Sequence, residues 1–190
     1  MKKRKAPITE RTYRAIYRLL DRVSPLACDC GTLCGAACCT SAYLDGEEMG
    51  IFLLPGEDAL HSPEDGWLDW TRESAEELGF PASWPDQVDF VHCKTPPHCP
   101  REKRPIQCRS FPLTPHLNEE GELTLVYNDM DLPYRCPLIE EEIPLNDDFV
   151  QATQTVWEHL IRDPRIRDLV REDSIEREEA VLQLQEMLGF

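Results

Sequence analysis

The sequence has no apolar run long enough to cross a membrane. No window in its 190 residues approaches the roughly 18 consecutive apolar residues that a spanning helix needs. The basic start, MKKRK, is not followed by the apolar stretch of a secretory signal, because Glu10, Arg11 and Arg14 interrupt the hydrophobic pattern. The sequence therefore predicts a cytoplasmic protein with no membrane partner. In the cytosol thiols stay reduced, so structural disulfides are not expected.

Positive charge is also scarce. The chain has 20 Lys and Arg residues against 36 Asp and Glu residues, which gives a net charge of −16. Nucleic acids and anionic membrane surfaces attract basic proteins, so this balance argues against both as the main partner. The hydrophobic fraction of 41% is ordinary for a globular protein and argues against global disorder. We expect a single domain over residues 1–190.

Cysteine, by contrast, is abundant. Five of the nine cysteines lie in the stretch CDCGTLCGAACC at 28–39, where Leu33 is the only large apolar side chain. Such a segment cannot form an apolar core of its own. After Cys28, the cysteines at 30, 34 and 38 recur every four residues, so a tight turn or one helical turn could bring their side chains together. Spacings of two to four residues are typical of tetrahedral zinc sites, and cysteine thiolates also bind iron–sulfur clusters with looser spacing.

Four interpretations of these thiols compete. Disulfides are disfavoured because no secretory signal is evident and the number of cysteines is odd. A single catalytic cysteine is disfavoured because nothing distinguishes one of the nine. Metal binding is favoured, since a structural zinc site supplies roughly 10–16 kcal/mol of apparent binding free energy, enough to order an apolar-poor loop. Redox chemistry at the sulfurs is the remaining possibility.

The local charge around the later cysteines is reversed relative to the whole chain. Five basic residues lie between 93 and 109, against one acidic residue. A zinc ion together with four thiolate ligands carries a net formal charge of about −2, so a buried site of this kind requires nearby cations or N–H donors. We expect Arg104 and Arg109 to donate to thiolates or to form a small anion site beside them. Exposed loop charges are the alternative, and His92 and His98 are less favoured ligand candidates.

Hydrophobic patterning predicts the α+β class, with a small, irregular, metal-stapled core and a few short strands. The predicted elements are an N-terminal helix over 9–23, strands over 51–54, 88–92 and 122–127, a helix from 147, and shorter helices over 166–170 and 176–188. Residues 62–80 fit either a turn and helix or a strand. These elements divide the chain into an N-terminal helix (1–27), a cysteine-cluster region (28–138) and a helical packing segment (139–190).

Two motifs together carry a family resemblance. CGTLCGAACC at 30–39, followed by REKRPIQCRSFPLTP at 101–115, resembles the CxxCxxCC family, which is described as zinc- or iron-chelating. In this chain three residues, not two, separate the first cysteines. The resemblance implies eight metal ligands and leaves Cys28 outside the set. The implied ligands are Cys30, Cys34, Cys38, Cys39, Cys93, Cys99, Cys108 and Cys136.

The functional expectation is therefore a cysteine-cluster protein that binds one or two zinc ions, with an iron–sulfur cluster as the alternative. The resemblance extends distantly to flagellin lysine N-methylases, although this short chain has no obvious glycine-rich site for S-adenosylmethionine. Such an enzyme should have a pocket beside the cluster, lined by Arg104 or Arg109 and by Trp67, Trp70 or Tyr134. A metal-stabilised interaction module, the third hypothesis, should instead expose an apolar patch on its C-terminal helices.

Overall fold

A computed structural model describes residues 8–41, 50–129 and 132–189, so the basic start at 1–7 lies outside the described ranges. The structure confirms the α+β class. The helices are α1 (Glu10–Leu20), α2 (Gly31–Cys34), α3 (Ala37–Thr40), α4 (Ile106–Ser110), α5 (Pro137–Glu140), α6 (Asp147–Leu160) and α7 (Pro164–Leu188), with 3₁₀ turns at Glu57–Leu60 and Arg101–Lys103. The strands are β1 (Ile51–Phe52), β2 (Leu68–Ser74), β3 (Gln87–Cys93), β4 (Leu113–Leu117) and β5 (Leu123–Tyr127).

The strands form two small antiparallel sheets. In one, β3 lies between β1 and β2, and its last residue, Cys93, pairs with Leu68. In the other, β4 and β5 form a two-stranded pair. Three of the predicted strands are confirmed as β1, β3 and β5, and the ambiguous segment 62–80 contains β2. The sequence analysis missed β4, because its strand follows a stretch rich in proline and basic residues.

The core is formed mainly by α1, α6 and the first half of α7. Helix α1 begins after Thr9, whose hydroxyl accepts a hydrogen bond from the N–H of Thr12, as expected of an N-cap. Its apolar face packs against α6. The buried residues of these two helices are Tyr13, Ile16, Tyr17, Leu20, Phe149, Ala152, Thr153, Val156, Trp157 and Leu160. Burial of each large apolar side chain contributes about 1.5–3 kcal/mol, so these two helices supply a large part of the stability of the fold.

The C-terminal segment differs from its prediction. Instead of two shorter helices, Pro164–Leu188 is one continuous helix, capped by Asp163, which accepts from the N–H of Arg165. The apolar pattern weakens near 171–175 because Ser174, a polar residue, occupies a buried position. Its hydroxyl donates to the carbonyl of Val170 and accepts from the N–H of Leu117, so the helix remains docked there. None of the described helices is both long and apolar enough to cross a membrane.

Candidate thiol site

The first cysteine segment forms two one-turn helices, α2 and α3, joined by residues with left-handed backbone. Gly35 has a φ of 67° and Ala36 a φ of 57°. Glycine adopts this region freely, whereas a residue with a Cβ pays roughly 1–2 kcal/mol. Neither helix buries a side chain in the core. The loop is therefore shaped by local backbone geometry and held by little apolar packing.

Cys38 and Cys39 form a close pair of thiols, with their sulfurs 3.8 Å apart. Two thiolates on a tetrahedral zinc ion also lie about 3.8 Å apart, given Zn–S bonds of about 2.3 Å, so the separation fits both a thiol–thiol hydrogen bond and shared ligation. The hydrogen bond from Cys38 lowers the pKa of Cys39 to about 7, and the nearby charge of Arg104 contributes in the same direction. The same bond raises the pKa of Cys38.

A second pair is formed by Cys93, at the end of β3, and Cys99, in the loop that follows. Interaction with the Cys93 thiol lowers the pKa of Cys99 to about 5, and the hydrogen bond from Arg104 adds to this effect. Arg104 Nε lies 2.9 Å from the Cys99 sulfur. The same interaction raises the pKa of Cys93. The lowered pKa favours the thiolate form of Cys99, which is the form that binds metals.

Cys108, on α4, lies close enough to both pairs to be influenced by their charge. Burial, together with the smaller effect of the charges of Cys39 and Cys99, raises its pKa to about 12. A neighbouring group contains Cys30, Cys34 and Cys136. Burial raises the pKa of Cys30, with smaller contributions from Asp29 and then from Cys136 and Cys34. Thiols from three separate chain segments thus converge on one region of the molecule.

These thiols do not form a closed coordination shell. Within residues 8–41, 50–129 and 132–189, no three or more Cys, His, Asp or Glu side chains are arranged to hold a metal ion. The metal-stapled core expected from the sequence therefore stays a prediction. The donor set itself suits zinc or an iron–sulfur cluster, since soft thiolates bind these metals in preference to Mg²⁺ or Ca²⁺.

The two candidate arginines occupy different positions. Arg104 contacts the Cys99 sulfur, whereas the hydrogen bonds of Arg109 go to oxygen atoms. Its Nε donates to the carbonyl of Arg104 at 2.6 Å, and its Nη1 donates to Asp21 Oδ1 at 2.8 Å. The guanidinium carbon also lies 4.4 Å from the centre of the Tyr17 ring. Arg109 therefore holds the backbone of Arg104 and links it to α1.

The sequence analysis missed Glu57, a fully buried carboxylate near this region. It accepts hydrogen bonds from the Tyr17 hydroxyl at 2.6 Å, from the Ile106 N–H at 2.8 Å and from the Leu54 N–H at 3.0 Å. Ile106 is the first residue of α4, so Glu57 ties the cysteine-bearing helix to α1. The LLPGED stretch around it looks like an exposed turn, and no local signal indicates that Glu57 is buried.

Comparisons with known proteins identify no relative. No family model matches the chain, and no match was found among curated proteins or among solved structures. The resemblance carried by the two cysteine motifs is therefore not supported by an independent match. The functional argument depends on the geometry of the thiols and their neighbours.

Proposed function

We propose that the protein binds metal ions through the thiolates of its cysteine-cluster region. One or two zinc ions are the favoured cargo, and an iron–sulfur cluster is the alternative. The observation that carries the proposal is the convergence of thiols from three chain segments beside the Arg104 guanidinium. The proposed ligands are drawn from Cys30, Cys34, Cys38, Cys39, Cys93, Cys99, Cys108 and Cys136.

The charge of the surroundings supports this assignment. Several thiolates gathered in a partly buried region repel one another unless a cation neutralises them. Arg104 supplies one positive charge through its hydrogen bond to Cys99. A metal ion would neutralise the rest and lower the free energy of the deprotonated thiols. Residues that donate hydrogen bonds to metal ligands typically change metal affinity by about 10–100-fold, so Arg104 is expected to raise the metal affinity of the site.

The weak packing of the loop points in the same direction. Helices of one turn are unstable in isolation, and α2 and α3 bury no residue in the core. Coordination worth roughly 10–16 kcal/mol would outweigh every other stabilising contribution available to this loop. The core of α1, α6 and α7 forms from apolar contacts. We therefore expect the loop to depend on metal more strongly than the fold as a whole.

The number of thiols is compatible with one or two ions, and Cys30 also influences Cys38, so the ligands of the two ions are not assigned separately. Cys38, Cys39, Cys93, Cys99 and Cys108 influence one another near Arg104. This group exceeds the four ligands of a tetrahedral zinc ion. The group of Cys30, Cys34 and Cys136 has only three thiols, so a second ion would need a shared or non-cysteine ligand.

The decisive experiment is elemental analysis of protein purified without oxygen, combined with its UV–visible spectrum. Zinc at one or two ions per chain in a colourless protein would support the zinc form. Iron with comparable acid-labile sulfide, and absorbance near 400 nm, would support a cluster. Replacement of Cys39 and Cys99 by Ser should lower the metal content, whereas Cys28→Ser, at an exposed cysteine outside the ligand set, should not. Absence of metal and sulfide would overturn the proposal and leave thiol redox chemistry.

The methylase-like alternative receives no specific support. Trp70 does line a pocket of about 400 Å³, but its other lining residues include His61 and Arg72 and no cysteine. Such an enzyme would direct Arg104 and Arg109 at its substrate. Here Arg104 donates a hydrogen bond to Cys99, and Arg109 donates one to Asp21. Metal binding without an assigned reaction is the better-supported function.

A further inference from the structure

The distal part of α7 extends beyond the body of the protein. Its last buried residue is Ser174, and its last polar contacts with the body join Arg177 and Glu178 to His116 of β4. Every residue from 178 to 189 is exposed. About three helical turns therefore lack packing against the described core. A helical extension of this length is only marginally stable in water by itself.

This extension carries an apolar face. At 100° per residue, five residues lie within a sector of about 120°, which is the width typical of a helix face that packs against protein. The five, which we term the C-terminal stripe, are Ala180, Val181, Leu184, Met187 and Leu188. The four larger side chains are between 51% and 78% exposed. Contiguous exposed apolar surface of this kind marks an interaction site.

The stripe continues the core-facing side of the helix. Ile166, Val170 and Ser174 recur every four residues and are buried in the body of the protein. Val181 and Leu184 extend this side of α7 past the last contacts with β4. The same face that packs into the core in the first half of α7 is thus left open in the second half.

A second copy of this chain is a poor occupant for the stripe. Each copy carries a net charge of −16, so two copies repel one another. This repulsion favours a partner of opposite charge.

We propose that the C-terminal stripe docks an amphipathic helix of another protein whose apolar face is flanked by Lys or Arg. Glu176 and Glu178 flank the stripe, one on each side, and residues 178–189 contain no Lys or Arg. The intervening Arg177 contacts His116, as does Glu178, which keeps about half of its side chain exposed. A partner helix laid along α7 would insert its apolar residues between those of the stripe, as helices pack in general. Its basic flanks would then face the two glutamates. This interaction is independent of metal binding at the thiols.

The test uses the full-length protein and a fluorescent 18-residue peptide of Leu and Lys, with Leu at helical spacing. Fluorescence anisotropy should show binding that weakens with salt. The triple change Val181→Ser, Leu184→Ser and Leu188→Ser should weaken it by about tenfold or more. The matched control, Ile175→Ser with Leu182→Ser, alters exposed apolar residues outside the stripe and should change affinity less than about twofold.

Two further measurements separate the alternatives. A peptide with Glu in place of Lys should not bind, and Glu176→Gln with Glu178→Gln should reduce both affinity for the Lys peptide and its salt dependence. Equal binding by the stripe variant and the wild-type protein would overturn the proposal. Sedimentation that revealed a stripe-dependent dimer would also overturn it, because the occupant would then be a second copy. Far-UV circular dichroism checks that each variant stays folded.

Discussion

The Nε atom of Arg104 donates a 2.9 Å hydrogen bond to the sulfur of Cys99. The carbonyl of Arg104 accepts from Arg109, whose guanidinium stacks on Tyr17. The Tyr17 hydroxyl in turn donates to the buried carboxylate of Glu57. A continuous series of contacts therefore joins the thiol site to the hydrophobic core.

The first prediction concerns Arg104. Replacement by Gln removes the positive charge beside the Cys99 thiolate, and we expect zinc affinity to fall by about tenfold or more. Competition with a chromogenic chelator measures this change. Lys103→Gln is the matched control, because Lys103 is bonded to Asp65 and not to a sulfur. Equal affinities for the two variants would contradict a role for Arg104 at the site.

The second prediction concerns Glu57. Its replacement by Ala leaves the Tyr17 hydroxyl and the N–H groups of Leu54 and Ile106 without their acceptor. We expect the free energy of unfolding to fall by about 3 kcal/mol or more, as is usual when buried donors lose a charged partner. Urea denaturation measures the change, and Asp58→Ala, at an exposed neighbouring residue, is the control. A loss below about 1 kcal/mol would show that the network is not important for stability.

The third prediction is a pH dependence at Asp173. Burial raises its pKa from 3.8 to about 6, although Arg177 opposes the shift. The folded state then binds the proton more tightly than the unfolded state. Its stabilising contribution is complete below pH 3.8 and is lost as the pH rises through 6. Asp173→Asn should therefore be more stable than the wild type by about 2–3 kcal/mol at pH 7.5, with no advantage at pH 3.5.

The matched control for this prediction is Asp168→Asn on the same helix. Thermal melts of the three proteins at both pH values provide the comparison. A stabilisation of Asp173→Asn that was the same at pH 3.5 and 7.5 would exclude the carboxyl's titration as its cause.

The fourth prediction concerns His61, which should destabilise the fold as the pH falls and not as it rises. Burial lowers its pKa from 6.5 to about 4. The unfolded state therefore binds the proton more tightly, and stability that is complete above pH 6.5 is lost as the pH falls towards 4. The loss amounts to about 3 kcal/mol. In urea denaturation at a series of pH values, His61→Gln should reduce the fall in the free energy of unfolding between pH 6.5 and 4. His159→Gln should change this fall less. If the free energy of unfolding of His61→Gln fell with pH as steeply as that of the wild type, a group other than His61 would be responsible for the proton uptake.

The fifth prediction concerns metal removal. Chelation should increase hydrogen exchange in residues 28–41, because that loop buries no side chain in the core. Exchange in α1 and α6 should rise much less, since their contacts are apolar. Mass spectrometry of peptic peptides resolves the two regions. Equal protection of the loop with and without chelator would contradict its dependence on metal.

Much of the fold could be predicted from local patterns. The amphipathic spacing and Thr9 cap predicted α1, and alternating or continuous apolar residues predicted β1, β3 and β5. The spacing of the cysteines and the run of basic residues also marked the candidate site. These features depend on residues close together in the chain, so their physical consequences are visible in a short window.

The remaining features were decided by contacts between distant residues. Glu57 is buried because Tyr17 and Ile106, about 40–50 residues away, provide its donors. Helix α7 stays docked at Ser174 because the hydroxyl of this residue accepts from the N–H of Leu117. Arg109 binds Asp21 and the carbonyl of Arg104, a role that no spacing rule indicates. The sequence by itself determined which elements and reactive side chains exist, and tertiary packing decided which of them meet, because burial and hydrogen bonding between elements arise only after the chain has folded.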